Sequence, residues 1–126
     1  MRLLLVRHAE AAPGEPDDLR PLTAAGRASA RELAARIGHV DAVLTSPLLR
    51  ARETGAELAR AAGCTAEPDE RLAPGADAQA VRDAVAGRGE VVAVVAHQPD
   101  CSRIAAELTG GAEPRFAPGA MVEIQL

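Results

Sequence analysis

Two of the three histidines in this chain close runs of aliphatic residues: His8 follows Leu3-Leu4-Leu5-Val6-Arg7, and His97 follows Val91-Val92-Ala93-Val94-Val95-Ala96. An imidazole beside a fixed guanidinium is equipped for an anion. The ring offers a nucleophilic or hydrogen-bonding nitrogen near neutral pH, and the guanidinium fork matches phosphoryl oxygens. A second arginine, Arg50, falls in the first turn of the helix expected after Ser46-Pro47. Free backbone N–H groups and the helix dipole favour negative charge there. Two imidazoles, two guanidiniums and a helix amino terminus are the parts of a phosphate site. Each residue alone has a plainer reading. Arg7-His8 would be the polar end of a buried strand, His97 a cap for the next helix, and Arg50 an exposed arginine paired with Glu53 or Glu57. The third histidine, His39, reads as a solvated turn residue, and Asp100 and Arg103 as first-turn and surface residues of the last helix.

The elements that must position these groups follow from hydrophobic period and punctuation. Arg2 to Arg7 reads as a strand buried on both faces. A Pro- and Asp-rich loop from Glu10 to Pro21 borders its end. Thr23 caps a helix to Ile37, with Ala30, Leu33, Ala34 and Ile37 as its buried stripe and Gly38 as its stop. Val40 to Thr45 is a second strand. Ser46 is the expected N-cap, with Pro47 at the first helical position, of a helix that Gly63 ends. A weak strand spans Cys64 to Ala66, reaching at most Glu67, before a polar loop, Pro68 to Gly75. Asp77 to Ala86 is a short helix and Glu90 to Ala96 the strongest strand. A helix opened by Gln98-Pro99 buries Cys101, Ile104, Ala105 and Leu108. Met121 to Leu126 is a closing edge strand with Glu123 and Gln125 on one face.

This alternation predicts a single α/β domain over residues 1–126, three layers α/β/α, with a five-stranded, mostly parallel sheet and an edge strand at the carboxyl end. In such a sheet, right-handed crossovers bring the carboxyl ends of the parallel strands to one rim, where ligands bind. Arg7, His8, Arg50 and His97 all fall on that rim.

Composition narrows the partners. The chain has 126 residues, a formal charge of -4, one Phe, no Trp and no Tyr. The core must be aliphatic. There is no basic tract or aromatic platform for nucleic acid, and no apolar run long enough to cross a bilayer. Two cysteines do not make a disulfide framework, and no Cys/His/carboxylate spacing suits zinc. The expectation is a cytoplasmic protein without cofactor or metal, and without a nucleic-acid or membrane partner.

Four motifs then resemble a known family. Leu-Leu-Val-Arg-His-Ala-Glu near the amino terminus, Arg-Pro-Leu-Thr-Ala-Ala-Gly at 20–26, Ser-Pro-Leu-Leu-Arg-Ala-Arg-Glu-Thr at 46–54 and Val-Val-Ala-His-Gln-Pro at 94–99 resemble the histidine phosphatase superfamily, and within it the small SixA-type phosphohistidine phosphatases. The resemblance implies a phosphoglycerate mutase-like fold and hydrolysis through a phosphohistidine intermediate. It implies that His8 is the nucleophile and that Arg7, Arg50 and His97 bind phosphoryl oxygens, with Arg20 as an addition to the site. Larger members supply a carboxylate general acid from an insert that this chain lacks. Glu70 and Asp77 are weak candidates for that role, and Glu10 lies too near His8 in sequence to be assigned. A phosphoramidate needs an acid less than an alcohol ester does. The expected substrate is therefore a phosphorylated protein, such as a histidine phosphotransfer domain. A broad small-molecule phosphomonoesterase and an inactive phosphate-binding or interaction module are the alternatives.

Overall fold

In the computed structural model, which describes residues 1–126, five strands form one sheet: β1 (Arg2–Arg7), β2 (Ala42–Thr45), β3 (Ala66–Pro68), β4 (Val91–Ala96) and β5 (Met121–Gln125). Their order is β3-β2-β4-β1-β5, with β5 antiparallel at the edge and the other pairs parallel. Four helices cover it: α1 (Ala24–Ile37), α2 (Leu49–Ala62), α3 (Ala78–Val85) and α4 (Asp100–Thr109). Strand alternation sorts the core into two halves. Leu3 and Leu5 of β1 pack with Val81 and Val85 of α3 and Ile104 of α4, while Leu4 and Val6 pack with Leu33 of α1 and Leu58 of α2. Each such buried side chain contributes about 1.5–3 kcal/mol of transfer free energy. The expected α/β/α domain, its strand count and its edge strand are all present.

Several boundaries move for local reasons. β2 begins at Ala42 rather than Val40 because Asp41 turns aside. Its Oδ2 accepts the Glu90 and Val91 N–H groups at 2.9 and 2.9 Å. β3 is Ala66–Pro68 rather than Cys64–Ala66, since the Cys64 N–H still donates back to the Ala59 carbonyl at the end of α2. The Pro68–Gly75 segment is not wholly polar, for it carries a 3₁₀ turn, Glu70–Leu72, whose Leu72 is fully buried. α4 starts at Asp100, and Leu108 packs on the core only partly buried.

Capping fixes the rest. The Thr23 hydroxyl accepts the Gly26 N–H at 3.0 Å, and Asp77 accepts the Ala80 N–H at 2.8 Å. Gly26 lies where α1 meets the segment after β1; a Cβ there would collide with the Glu10 carbonyl oxygen. No helix is long and apolar enough to cross a membrane.

Candidate active site

Strand register builds the centre of the site. Arg7 of β1 lies opposite Ala96 of β4, and Thr45 of β2 opposite Val95 of β4. One step further, the His8 N–H donates to the Ala96 carbonyl at 3.0 Å and the Ser46 N–H to the Val95 carbonyl at 2.9 Å. His8, His97 and Ser46 thus form a row across three adjacent strand ends. The two imidazoles are near neighbours, with ring centroids 5.2 Å apart and tilted by 59°.

His8 is half-buried. Its Nδ1 lies 2.8 Å from the Ala9 carbonyl oxygen. A carbonyl only accepts, so Nδ1 carries the proton and Nε2 of the neutral ring keeps its lone pair. Burial is the main cause holding the His8 pKa below its ordinary value; the Ala9 contact pulls the other way, and the charges of Arg50, Arg7 and Arg20 lower it further.

His97 is 4% exposed. Its Nε2 shares a 2.7 Å hydrogen bond with the Ser46 hydroxyl. Burial first, and then the neighbouring His8 and Arg50, push its pKa down to about 4. The ring is neutral at physiological pH, and it accepts no partner at Nδ1. In the whole chain only two buried side-chain nitrogens or oxygens lack a hydrogen-bond partner, His97 Nδ1 and Arg7 Nε.

The arginines are held by backbone. Arg7 Nη1 donates to the Phe116 carbonyl at 2.9 Å. Arg50 is 8% exposed, so the exposed-arginine reading fails, and its partner is neither Glu53 nor Glu57. Glu53 takes the Leu22 N–H and Arg27, and Glu57 takes Arg31 and Arg60. Arg50 instead donates from Nη1 to the Asp17 carbonyl at 2.9 Å and from Nη2 to Asp17 Oδ2 at 3.2 Å. Arg20 donates to Asp17 Oδ1 at 3.0 Å and to the Ala12 carbonyl at 2.8 Å. Asp17 therefore bridges Arg50 and Arg20. Its hydrogen bond to Arg20 and the charge of Arg50 hold its carboxyl below the usual range.

None of the three surface concavities of the molecule is lined by Arg7, His8, Arg50 or His97.

The model of the histidine phosphatase superfamily (branch 1) matches residues 3–74, from β1 through the 3₁₀ turn after β3. The chain belongs to the histidine phosphatase superfamily. The protein histidine phosphatase SixA, solved with tungstate, is 30% identical with a TM-score of 0.85, over 100% of this chain and 88% of that one. A SixA protein from Agrobacterium tumefaciens is 29% identical with a TM-score of 0.72, covering 86% of this chain and 77% of its own. The alpha-ribazole phosphatase of Shigella flexneri, at 20% identity and a TM-score of 0.78 over 100% and 91% of the two chains, shares the fold. No curated protein matches the chain.

Within this histidine phosphatase, the remaining predicted residues separate. Asp77 is exposed and occupied as the cap of α3, and Glu70 is exposed in its 3₁₀ turn. Glu10 accepts the Thr23 hydroxyl at 2.7 Å. Asp100 is not a surface residue, being 5% exposed. It accepts the Gly75 N–H at 2.7 Å and Arg103 Nη2 at 2.9 Å, because α4 is pinned there to the preceding loop. Cys101 is core, and burial pushes its thiol up to about 12. Ser46 is not the cap of α2. Leu48 holds that place and α2 begins at Leu49, since the Ser46 hydroxyl is turned to His97.

Sequence reasoning missed three supports. Besides Ser46, Thr54 is fully buried; its hydroxyl accepts the Ala9 N–H at 3.0 Å and donates to the Arg50 carbonyl at 2.8 Å, tying the two halves of the site together. Asp17 is the third. Thr54 stands in the 46–54 motif and Asp17 three residues before Arg20, so proximity to motif arginines was the available signal.

Proposed function

We propose that this histidine phosphatase dephosphorylates phosphohistidine on a protein, with His8 as the nucleophile that carries the phosphoryl group. The observation that carries this reading is the Nδ1 contact of His8 to the Ala9 carbonyl, which commits the ring proton and leaves Nε2 free to attack. The surroundings suit the anion. Arg7 Nε and His97 Nδ1 are buried without partners, and buried polar atoms are normally satisfied. Phosphoryl oxygens would satisfy both. A Ser46 hydroxyl that donates to His97 Nε2 puts the proton of that ring on Nδ1, making it a donor to the oxygens. SixA with tungstate, a tetrahedral oxyanion, is consistent with such a site.

In the first step Nε2 of His8 forms a bond to phosphorus while the P–N bond to the substrate imidazole breaks. That imidazole leaves with the electron pair and takes a proton from solvent. In the second, water attacks phospho-His8, inorganic phosphate leaves, and His8 returns to its neutral form. Arg7 and Arg50 neutralise the spread charge throughout while the neutral His97 donates a hydrogen bond to it, and Arg20 adds to the positive field.

Substrate choice follows from proton supply and access. Asp17, the carboxylate that contacts the site arginines, is held ionised and cannot serve as a general acid. An alkoxide leaving group needs that proton from an acid on the enzyme; the substrate imidazole, protonated by solvent on its distal nitrogen, leaves as a neutral ring. His8, only half-buried at the end of β1, is open to a side chain presented by a folded partner. We place the reaction in the cytoplasm without metal. The test is a rate comparison between a phosphorylated histidine phosphotransfer domain and a panel of sugar and nucleoside phosphomonoesters, with His8→Ala as control. The reading expects the phosphoprotein to be preferred by at least an order of magnitude. A preference for the esters would make the protein a small-molecule phosphomonoesterase, and no turnover of either would make it a binding module.

A further inference from the structure

We propose that Thr54 is the positioning residue that presents the Ala9 carbonyl to His8 and so keeps the nucleophile's proton on Nδ1. The inference rests on the reading of His8 as nucleophile given above. Thr54 lies on α2, is fully buried, and is 45 residues from Ala9 in sequence. Its hydroxyl has one proton, and the Arg50 carbonyl takes it at 2.8 Å. The oxygen is left as an acceptor, and the Ala9 N–H donates to it at 3.0 Å. Ala9 in turn supplies the carbonyl that lies 2.8 Å from His8 Nδ1. The connection from α2 to the imidazole therefore runs through the Arg50 carbonyl, the Thr54 hydroxyl and the Ala9 backbone.

A helical threonine bonded to the carbonyl four residues back is ordinary. The second bond, across to the segment after β1, is what sets this one apart. β1 ends at Arg7, so no ladder partner awaits the Ala9 N–H. The peptide between His8 and Ala9 is held from both sides: its carbonyl accepts the Gly119 N–H at 3.1 Å, and its N–H goes to Thr54. Ala9 is fully buried and packs with Leu22 and Ala30. A buried amide without an acceptor is costly. Without the Thr54 hydroxyl the Ala9 backbone would shift to find one, and its carbonyl would leave His8.

The consequence falls on the nucleophile. A neutral imidazole carries one ring proton. With the Ala9 carbonyl in place, that proton stays on Nδ1. Without it, the proton is free to move to Nε2, where it blocks attack. The same contact raises the His8 pKa against burial and the charges of Arg50, Arg7 and Arg20, and His97 is the other titratable ring facing it. Thr54 itself has no exposed surface. It reaches neither substrate nor solvent, so its effect belongs on the phosphorylation rate rather than on KM.

The test compares Thr54→Val, which keeps the shape and removes the hydroxyl, with Thr54→Ser, which keeps the hydroxyl. NMR of enzyme labelled with ¹⁵N-histidine reads the His8 tautomer, and rapid quench with phosphoramidate reads phosphoenzyme formation. Thr54→Val is expected to put part of the His8 population in the Nε2–H form and to slow phosphorylation about tenfold or more, with KM within about twofold. Thr54→Ser should return tautomer and rate to within about twofold of the wild type. Thr54→Cys, whose sulfur is a weaker acceptor, should shift the tautomer the same way and serves if the valine variant does not fold. A wild-type tautomer in the valine or cysteine variant overturns the proposal whatever the rate, because a slowed enzyme would then owe its loss to packing or to Arg50. A mixed tautomer that Thr54→Ser does not reverse overturns it too. A wild-type enzyme that is never labelled on His8 removes the nucleophile reading itself, and the positioning role with it.

Discussion

His8 and His97 are the same residue type at the same register on adjacent parallel strands, yet the structure gives them opposite hydrogen-bond partners. His8 meets a backbone carbonyl, which can only accept. His97 meets a hydroxyl, which can donate as well as accept. One carbonyl fixes the proton of His8 on Nδ1 and exposes a lone pair at Nε2. One hydroxyl permits the proton of His97 on Nδ1 while its Nε2 is occupied. In the mechanism we propose, the difference between a nucleophile and an oxyanion donor is therefore set by what the neighbouring loop offers, and not by the ring or the strand. Burial keeps both rings neutral by lowering both pKa values.

Breaking the pair should break the symmetry of their roles. His8→Ala should abolish the phosphoenzyme and lower turnover by about 10⁴-fold or more. His97→Ala should keep the phosphoenzyme and lower kcat by about 10²–10³-fold. Rapid-quench labelling with steady-state kinetics separates the two, and equal losses with loss of label in both would erase the distinction.

A second contrast lies in stability against pH. The folded His97 titrates near 4 and an unfolded histidine near 6.5. Between those values the unfolded chain binds a proton that the folded chain does not, so stability falls as pH drops through that window, by on the order of 3 kcal/mol in total. His8 shifts in the same direction. The lowered carboxyls of Asp17, Asp41 and Asp69 act at lower pH, below the ordinary carboxyl value of 3.8. Denaturant melts at pH 7, 5.5 and 4.5 should show a steep decline in the wild type and a shallower one in His97→Gln.

Ser46→Ala sharpens the comparison further. Loss of one hydrogen bond worth about 1–1.5 kcal/mol should reduce kcat about tenfold. The phosphoryl group should still sit on His8, and loss of labelling would mean that Ser46 serves the nucleophile instead. The smallest effect is expected at the carboxylates outside the pair. Glu70→Gln and Asp77→Asn should change phosphohistidine turnover by less than about twofold, since both are exposed and Asn caps a helix as well as Asp. A large loss in either would identify the general acid that the account leaves out.

The sequence carries the frame of this site well because the frame is periodic. Aliphatic runs ending in histidine, and Gly63 and Gly38 after amphipathic stretches, mark strands and helices without tertiary information. Arg7, His8, Arg50 and His97 are legible for the same reason: they stand at element ends. The side-by-side placement of His8 and His97 is not legible, because it depends on β4 inserting between β1 and β2, a crossover that no local pattern records. The supports are hidden for a related reason. Ser46 has the local signature of an N-cap, and only the approach of β4 redirects its hydroxyl. Asp17 looks like loop polarity until Arg50 arrives from another element. Asp100 looks solvated until the Gly75 loop closes over it.

The most direct test of the central claim is the position of the phosphoryl group on a trapped phosphoenzyme. ³¹P and ¹H–¹⁵N NMR of enzyme labelled with ¹⁵N-histidine and phosphorylated by phosphoramidate distinguishes the two ring nitrogens. The hydrogen bond from His8 Nδ1 to the Ala9 carbonyl predicts a single acid-labile, base-stable phosphohistidine at Nε2 of His8. Phosphorylation at Nδ1, on His97, or undiminished in His8→Ala would contradict it.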